Sequence, residues 1–348
     1  MIAEVRPGRC RFCAPAQAQL QLHPSEWRPV GYTRKSETGT SRDMRIQPCA
    51  VAAVSASWLA LAAMATTADS AAGVVDSHDL EGTWTYATMT PLERPQELAG
   101  KERLTPEEAA AFEGRTNARQ AATNNTAGPD WWDPGTRTLV DRRTSLIVDP
   151  LNGRLPPLTP DAQARATARA QARRERGPST DVEELALNER CLLWATAGPP
   201  MLPGVYNNNV KIVQTIGATV IFNEMIHDAR VIPTRAAPPS PVRRWQGDSR
   251  GRWEAATFIV DTANFTEKTS VRGSDARLHL VERFTRVDAE TISYRFTVDD
   301  PTVWSQPWTA EFPLRRTTGR IFEYACHEGN FRSIEGILRA SRAQLEGR

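Results

Sequence analysis

The chain has 348 residues, 40% of them hydrophobic, with 43 basic and 41 acidic side chains and a net charge of +2 at pH 7. Residues 1–65 hold 8 basic and 4 acidic groups, which leaves 35 and 37 beyond them and a net charge of −2, so the bulk of the chain lacks the basic excess of a nucleic-acid binder. Forty per cent hydrophobic residues and ten Trp are enough for one sizeable core or two small ones.

The first readable element is an export signal. Arg45, just after Met44, supplies a short positive region, and Ala50 to Ala63 form an uncharged apolar run. Ala63-Met64-Ala65 and Ser70-Ala71-Ala72 are small-residue cleavage sites. A run of about 14 residues is short for a spanning helix, which needs about 20. Cys49 precedes the run, which argues against a lipoprotein anchor. Residues 44–72 are therefore read as a signal peptide, and 1–43 as a mis-assigned upstream extension without periodicity. Residues 73–348 are read as one domain, periplasmic or secreted, with no stable membrane insertion. The lone Cys10-x-x-Cys13 pair lacks a second pair, so it makes a poor metal site.

Gly82-Thr83-Trp84 opens a short strand. Thr105-Pro106-Glu107-Glu108 combines a Thr N-cap, Pro at the first helical position and Glu three after the cap, which predicts a helix over 105–120. Leu146 to Val148 reads as a strand. Thr159-Pro160-Asp161 starts a second helix, ending at Gly177-Pro178, whose Arg165, Arg169, Arg173, Arg174 and Arg176 read as a solvated face. From about 190 the pattern is strand after strand, at 190–195, 210–215, 218–227, 251–261, 277–287, 290–298, 307–315 and 319–327. In the clearest hairpin Ile292, Tyr294, Phe296 and Val298 share one face, and Ser293, Arg295, Thr297 and Asp299 the other. Gly247-Asp248-Ser249-Arg250-Gly251 reads as a hairpin turn. The fold class is mainly β, an antiparallel barrel or sandwich with two peripheral helices in the N-terminal half.

The two cysteines beyond the signal, Cys191 and Cys326, form an even pair in an oxidising compartment. A disulfide is the simplest reading, with two unpaired buried thiols as the alternative.

The Gly82-x-Trp84 opening followed by an antiparallel meander resembles the lipocalin or calycin plan. The runs TPLERP at 90–95, SLIVDP at 145–150, EMIHDARVIP at 224–233 and GDSRGRWE at 247–254 belong with RLHLVERFTRVDAETISYRFTVDDPTVWSQPWTAEFP and FEYACHEGN. Together these resemble a widespread family of exported bacterial proteins with no established activity. The resemblance covers nearly all of residues 80–340 and implies one calycin-like barrel domain, export and a bacterial source. It implies no reaction.

The chain has no nucleophile elbow on a strand-to-helix turn, no P-loop, no dinucleotide fingerprint and no H-E-x-x-H. Three histidines fall in predicted strands beside carboxylates: Glu224 near His227, His279 near Glu282, and Glu323 near His327. Brought together across strands, such groups can act as acid and base. Taken singly, each reads more readily as a salt-bridge partner for Arg230, Arg283 or Arg295; as a set of three, the two readings are even. Their spacing matches no metal-ligand signature, and neither a metal nor an organic cofactor is expected. Trp253, Tyr294, Trp304 and Trp308, with Trp131, Trp132 and Tyr206, are candidates to stack on a ligand, or else are core residues. Asp300 and Asn207 are candidate polar contacts, although the Asn207-Asn208-Asn209 cluster also suits a turn.

Two readings follow. One is a cofactor-free isomerase, epimerase, cyclase or dehydratase, working through His and Glu on a fairly apolar small molecule in a barrel cavity. The other is a lipocalin-like ligand-binding or carrier protein without turnover. The expected partner in both is a small molecule.

Overall fold

A computed structural model describes residues 76–123, 135–235, 238, 240–269 and 271–347. The extension at 1–43, the signal at 44–72 and the pair Trp131-Trp132 lie outside the described residues.

Ten antiparallel strands form one sheet, nearly closed into a calycin-like barrel. They are β1 (Gly82–Thr85), β2 (Ile147–Asp149), β3 (Asn209–Gln214), β4 (Ala218–Asn223), β5 (Ala229–Pro233), β6 (Asp248–Glu254), β7 (Thr257–Ala263), β8 (His279–Asp288), β9 (Thr291–Asp299) and β10 (Trp308–Arg316). Around the barrel the order is β5-β4-β3-β1-β10-β9-β8-β7-β6, with β2 also pairing with β10. β1 and β2 divide one edge of β10, β1 at Arg315–Arg316 and β2 at Thr309–Ala310. The ends of the path, β5 and β6, come together within 8 Å Cα to Cα and leave a seam.

Alternation decides which side chains enter the barrel. In β9 Ile292, Tyr294, Phe296 and Val298 are all buried, as the period of two predicts. Phe284, Tyr294 and Phe312 lie side by side across β8, β9 and β10. With Trp84, Phe258, Trp308 and Leu280 they fill the interior with one continuous apolar cluster. Small barrels close on packed side chains in this way.

Both predicted helices are present. α1 (Pro106–Thr123) starts with a capping box: Glu108 N–H donates to Thr105 Oγ1 (3.2 Å), and Thr105 N–H donates to a Glu108 carboxylate oxygen (2.9 Å). In α2 (Pro160–Arg176) the N–H of Ala162 donates to Thr159 Oγ1, and Ala162 is the only buried residue. Its arginines are solvated, with Arg169 reaching Asp275. A third helix, α3 (Asn330–Glu346), was not expected.

Four strand expectations need correction. Residues 251–261 are not one strand but the two arms β6 and β7, joined by a turn at Ala255 (φ 50°). Gly247–Gly251 is therefore not the hairpin turn, since Asp248–Gly251 is paired strand. Gly251 reads as a turn residue but serves close packing: a Cβ there would lie 2.4 Å from the Phe258 ring. Residues 218–227 stop as a strand at Asn223, where the chain turns through Ile226 and His227 at positive φ and returns as β5. Residues 190–195 form turns, and 321–325 are irregular. Their apolar residues find no neighbouring strand.

Candidate functional site

The predicted site residues fall into separate places. Glu282 is completely buried inside the barrel (0% exposed). The Arg230 guanidinium donates to both of its oxygens, at 2.6 and 3.0 Å. Tyr294 donates its hydroxyl to Glu282 Oε1 (2.7 Å) and accepts the N–H of Met201 (3.0 Å). Burial, with the adjacent Glu282 charge, pushes the Tyr294 phenol well above its ordinary range. For Arg230, burial opposes the charge, but Glu282 outweighs it and holds the guanidinium above its usual range. This is a satisfied core network, and the clefts described below do not reach Glu282 or Tyr294.

The three histidines do not converge. His279 lies on the outer face of β8, 45% exposed, and meets Asp261 at 3.0 Å rather than Glu282. His227 is exposed in the turn after β4, with its ring edge-on to Phe222 at 4.7 Å. His327 is exposed near the start of α3. The N–H of His227 donates to the Glu224 carbonyl (3.1 Å) in the turn, but no side-chain hydrogen bond or ion pair among the described residues joins any of the three to Glu224, Glu282 or Glu323. Glu224 is buried and accepts from Asn209 Nδ2 (2.7 Å) and from the N–H of Phe322 (2.9 Å). It ties residues 321–329 to the barrel.

Several aromatic candidates belong to the core. Trp308 is fully buried and meets Phe296 and Trp304 edge-on. Trp304 donates its indole N–H to Ser274 Oγ (3.0 Å). Trp253 packs on Phe258 and His78. Asp300 is buried and accepts from the N–H and hydroxyl of Thr302, closing a turn.

The remaining candidates, Tyr206, Asn207, Glu323 and Cys326, line one open cleft of about 890 Å³. It lies where β1 ends, β3 begins and β4 ends, between the segment before β3 and residues 322–330. Two of its walls are the rings of Tyr206 and Tyr324, parallel within 4° at 6.5 Å and hydrogen-bonded to each other. Trp194 meets both at 6.3 and 6.2 Å with planes about 60° away, which makes an aromatic corner. Burial, then the hydrogen bond with Tyr206, pushes the Tyr324 phenol up, so it stays neutral. Asn207 is only 5% exposed, lines the cleft, and its amide has no hydrogen-bond partner among the described residues. Glu189, Glu323 and Glu328 add carboxylates.

No family model, curated protein or solved structure matches this chain. The site's chemistry therefore rests on its own residues.

The disulfide Cys191–Cys326 (Cα–Cα 5.8 Å) joins the two segments that form the cleft. Asn330 Nδ2 reinforces it by donating to Glu189 O (2.7 Å). Sequence reasoning missed Trp194 and Tyr324, because both were assigned to strands that do not form. Trp194 also borders a second cleft of about 490 Å³, lined largely by apolar residues including Met89, Leu146, Leu193 and Leu202. A third, of about 550 Å³, lies at the β5–β6 seam. There burial raises the Asp228 carboxyl above its ordinary range. Among the described residues no group of three or more His, Cys, Asp or Glu could hold a metal ion, and no helix is long and apolar enough to cross a membrane.

Proposed function

We propose that this protein binds a small molecule without turning it over, and that the ligand sits in the Trp194–Tyr206–Tyr324 cleft rather than in the barrel interior. The observation that carries this reading is a buried, unpartnered Asn207 amide beside three aromatic rings in one open cleft. The amide opens to the cleft, where a polar group of a ligand can take its hydrogen bonds in place of water. The acid–base chemistry expected from the sequence relied on His–carboxylate pairs, and no His lines this cleft. The His279–Asp261 pair sits on the outer wall. We read the protein as exported, on the apolar run at 50–63 and the Cys191–Cys326 pair.

Trp194 makes the reading testable by fluorescence. The oxidised protein, screened against amphipathic and aromatic small molecules, is expected to yield ligands that saturate a change in tryptophan emission. Truncating one stacking ring, Trp194→Ala or Tyr324→Ala, is expected to weaken them about tenfold, since such ring contacts contribute about 0.5–1.5 kcal/mol beyond their buried area. Ligands whose affinity ignores both substitutions would place the site elsewhere.

A further inference from the structure

We propose that the ligand of this cleft is an organic cation, an alkyl- or arylammonium compound. The inference rests on the small-molecule reading above and adds its charge.

The lining residues include three carboxylates, Glu189, Glu323 and Glu328, and no Lys, Arg or His. Glu323 and Glu328 have neither an ion pair nor a side-chain hydrogen bond among the described residues, so their charge is not neutralised locally. Glu189 has one carboxylate oxygen occupied by the N–H of Ala186 (2.8 Å). Within the lining the opposing charge is small, and the neighbouring Arg190 and Lys268 are paired with Glu183. The N-terminus of α3 reaches the cleft at Gly329 and Asn330, and a helix N-terminus carries roughly half a positive charge. Three carboxylates outweigh it.

Charge alone would fit a hard metal ion equally well, but the other walls do not. Trp194, Tyr206 and Tyr324 line the cleft, and aromatic rings attract a weakly hydrated cation through their negative quadrupole. The carboxylates do not converge with other ligands on one point, as a metal ion needs. An ammonium centre carrying alkyl groups satisfies both features, giving up little hydration against the rings and keeping its charge near the glutamates. Asn207, buried at the same site, supplies one amide acceptor and one donor for a polar group on the same molecule. A hydroxyl or carbonyl a few bonds from the nitrogen meets that need.

The test compares choline with its uncharged isostere 3,3-dimethylbutan-1-ol, and benzyltrimethylammonium with the anion benzenesulfonate. Each is titrated into the oxidised, full-length protein, followed by tryptophan emission and calorimetry. Both cations are expected to bind, choline at least about tenfold tighter than its isostere. The double substitution Glu323→Gln/Glu328→Gln is expected to weaken both cations and leave the neutral alcohol unchanged. Both positions are solvent-exposed, so the variant should fold, and its circular dichroism and melting curve check that it does. If the alcohol binds as well as choline, or benzenesulfonate binds tighter than the cations, the cationic assignment is overturned while the small-molecule reading stands. If no probe of any charge saturates, both fail together.

Discussion

Glu282 shows how far one carboxylate depends on its partners. It has no exposed surface, and its three hydrogen bonds come from two side chains on other strands, Arg230 and Tyr294. Removing one partner of a buried pair leaves the other charged and unpaired, which costs about 3–5 kcal/mol. Arg230→Met is therefore expected to lower unfolding stability by about that much in urea at pH 7, and adding Glu282→Leu should recover most of it. Tyr294 adds a pH signature. Its phenol is held above its ordinary range, so the folded protein keeps a proton that the unfolded chain begins to lose near pH about 10. That contribution is complete below the unfolded value and is lost as pH rises towards the folded one. Stability should fall on the alkaline side of pH about 10, and Tyr294→Phe should flatten the fall. The same substitution leaves the buried Met201 N–H without an acceptor, which costs about 1–3 kcal/mol at neutral pH.

At the scale of elements, the sequence is most legible where one face is wet and the other dry. The β8–β9 hairpin alternates from Leu280 to Val298, and its buried set matches the period of two. Both N-caps could also be read, because Thr, Pro and Glu mark local hydrogen bonds that need no tertiary partner. Residues 190–195 and 319–327 are also rich in apolar and aromatic residues, but a strand needs a neighbour, and these segments pair with none. α3 escaped notice because it is mostly polar, with only Leu338 and Ser341 buried. The cleft was half legible for the same reason. Tyr206 and Asn207 looked like loop residues suited to a ligand, whereas Trp194 and Tyr324 were hidden in strands that never pair. Residues 321–329 hold their place through Glu224, Asn330 and the disulfide. Cys191→Ser/Cys326→Ser is thus expected to cost about 2–5 kcal/mol, the range for losing a crosslink across a long loop. It should also weaken any cleft ligand more than Arg230→Met does, because it frees Tyr324 without touching the barrel. Equal effects of the two variants on affinity would mean that global stability, not the crosslink, positions the ring.

For the whole molecule, the question is which space holds the ligand. A calycin-like barrel invites a ligand into its interior, but here Phe258, Phe284, Tyr294, Phe296, Phe312 and Trp308 occupy it. The open cleft lies outside, against an end of the barrel wall, where the long connections before β3 and after β10 meet. The barrel then acts as a rigid support, and its packing and the cleft's affinity should vary independently. Phe296→Ala separates the two roles. Deleting a fully buried ring costs about 3–5 kcal/mol and leaves an apolar void. Such voids stay dry and take up xenon or benzene. The variant should melt at a lower temperature and bind xenon, yet keep the cleft ligand's affinity within about twofold of the parent, because Phe296 touches none of the cleft rings. Trp194→Ala should do the reverse, weakening the ligand about tenfold with little change in melting, since its indole is only partly buried in turns outside the sheet. A ligand lost on Phe296→Ala and indifferent to Trp194→Ala would mean that the interior opens to admit it.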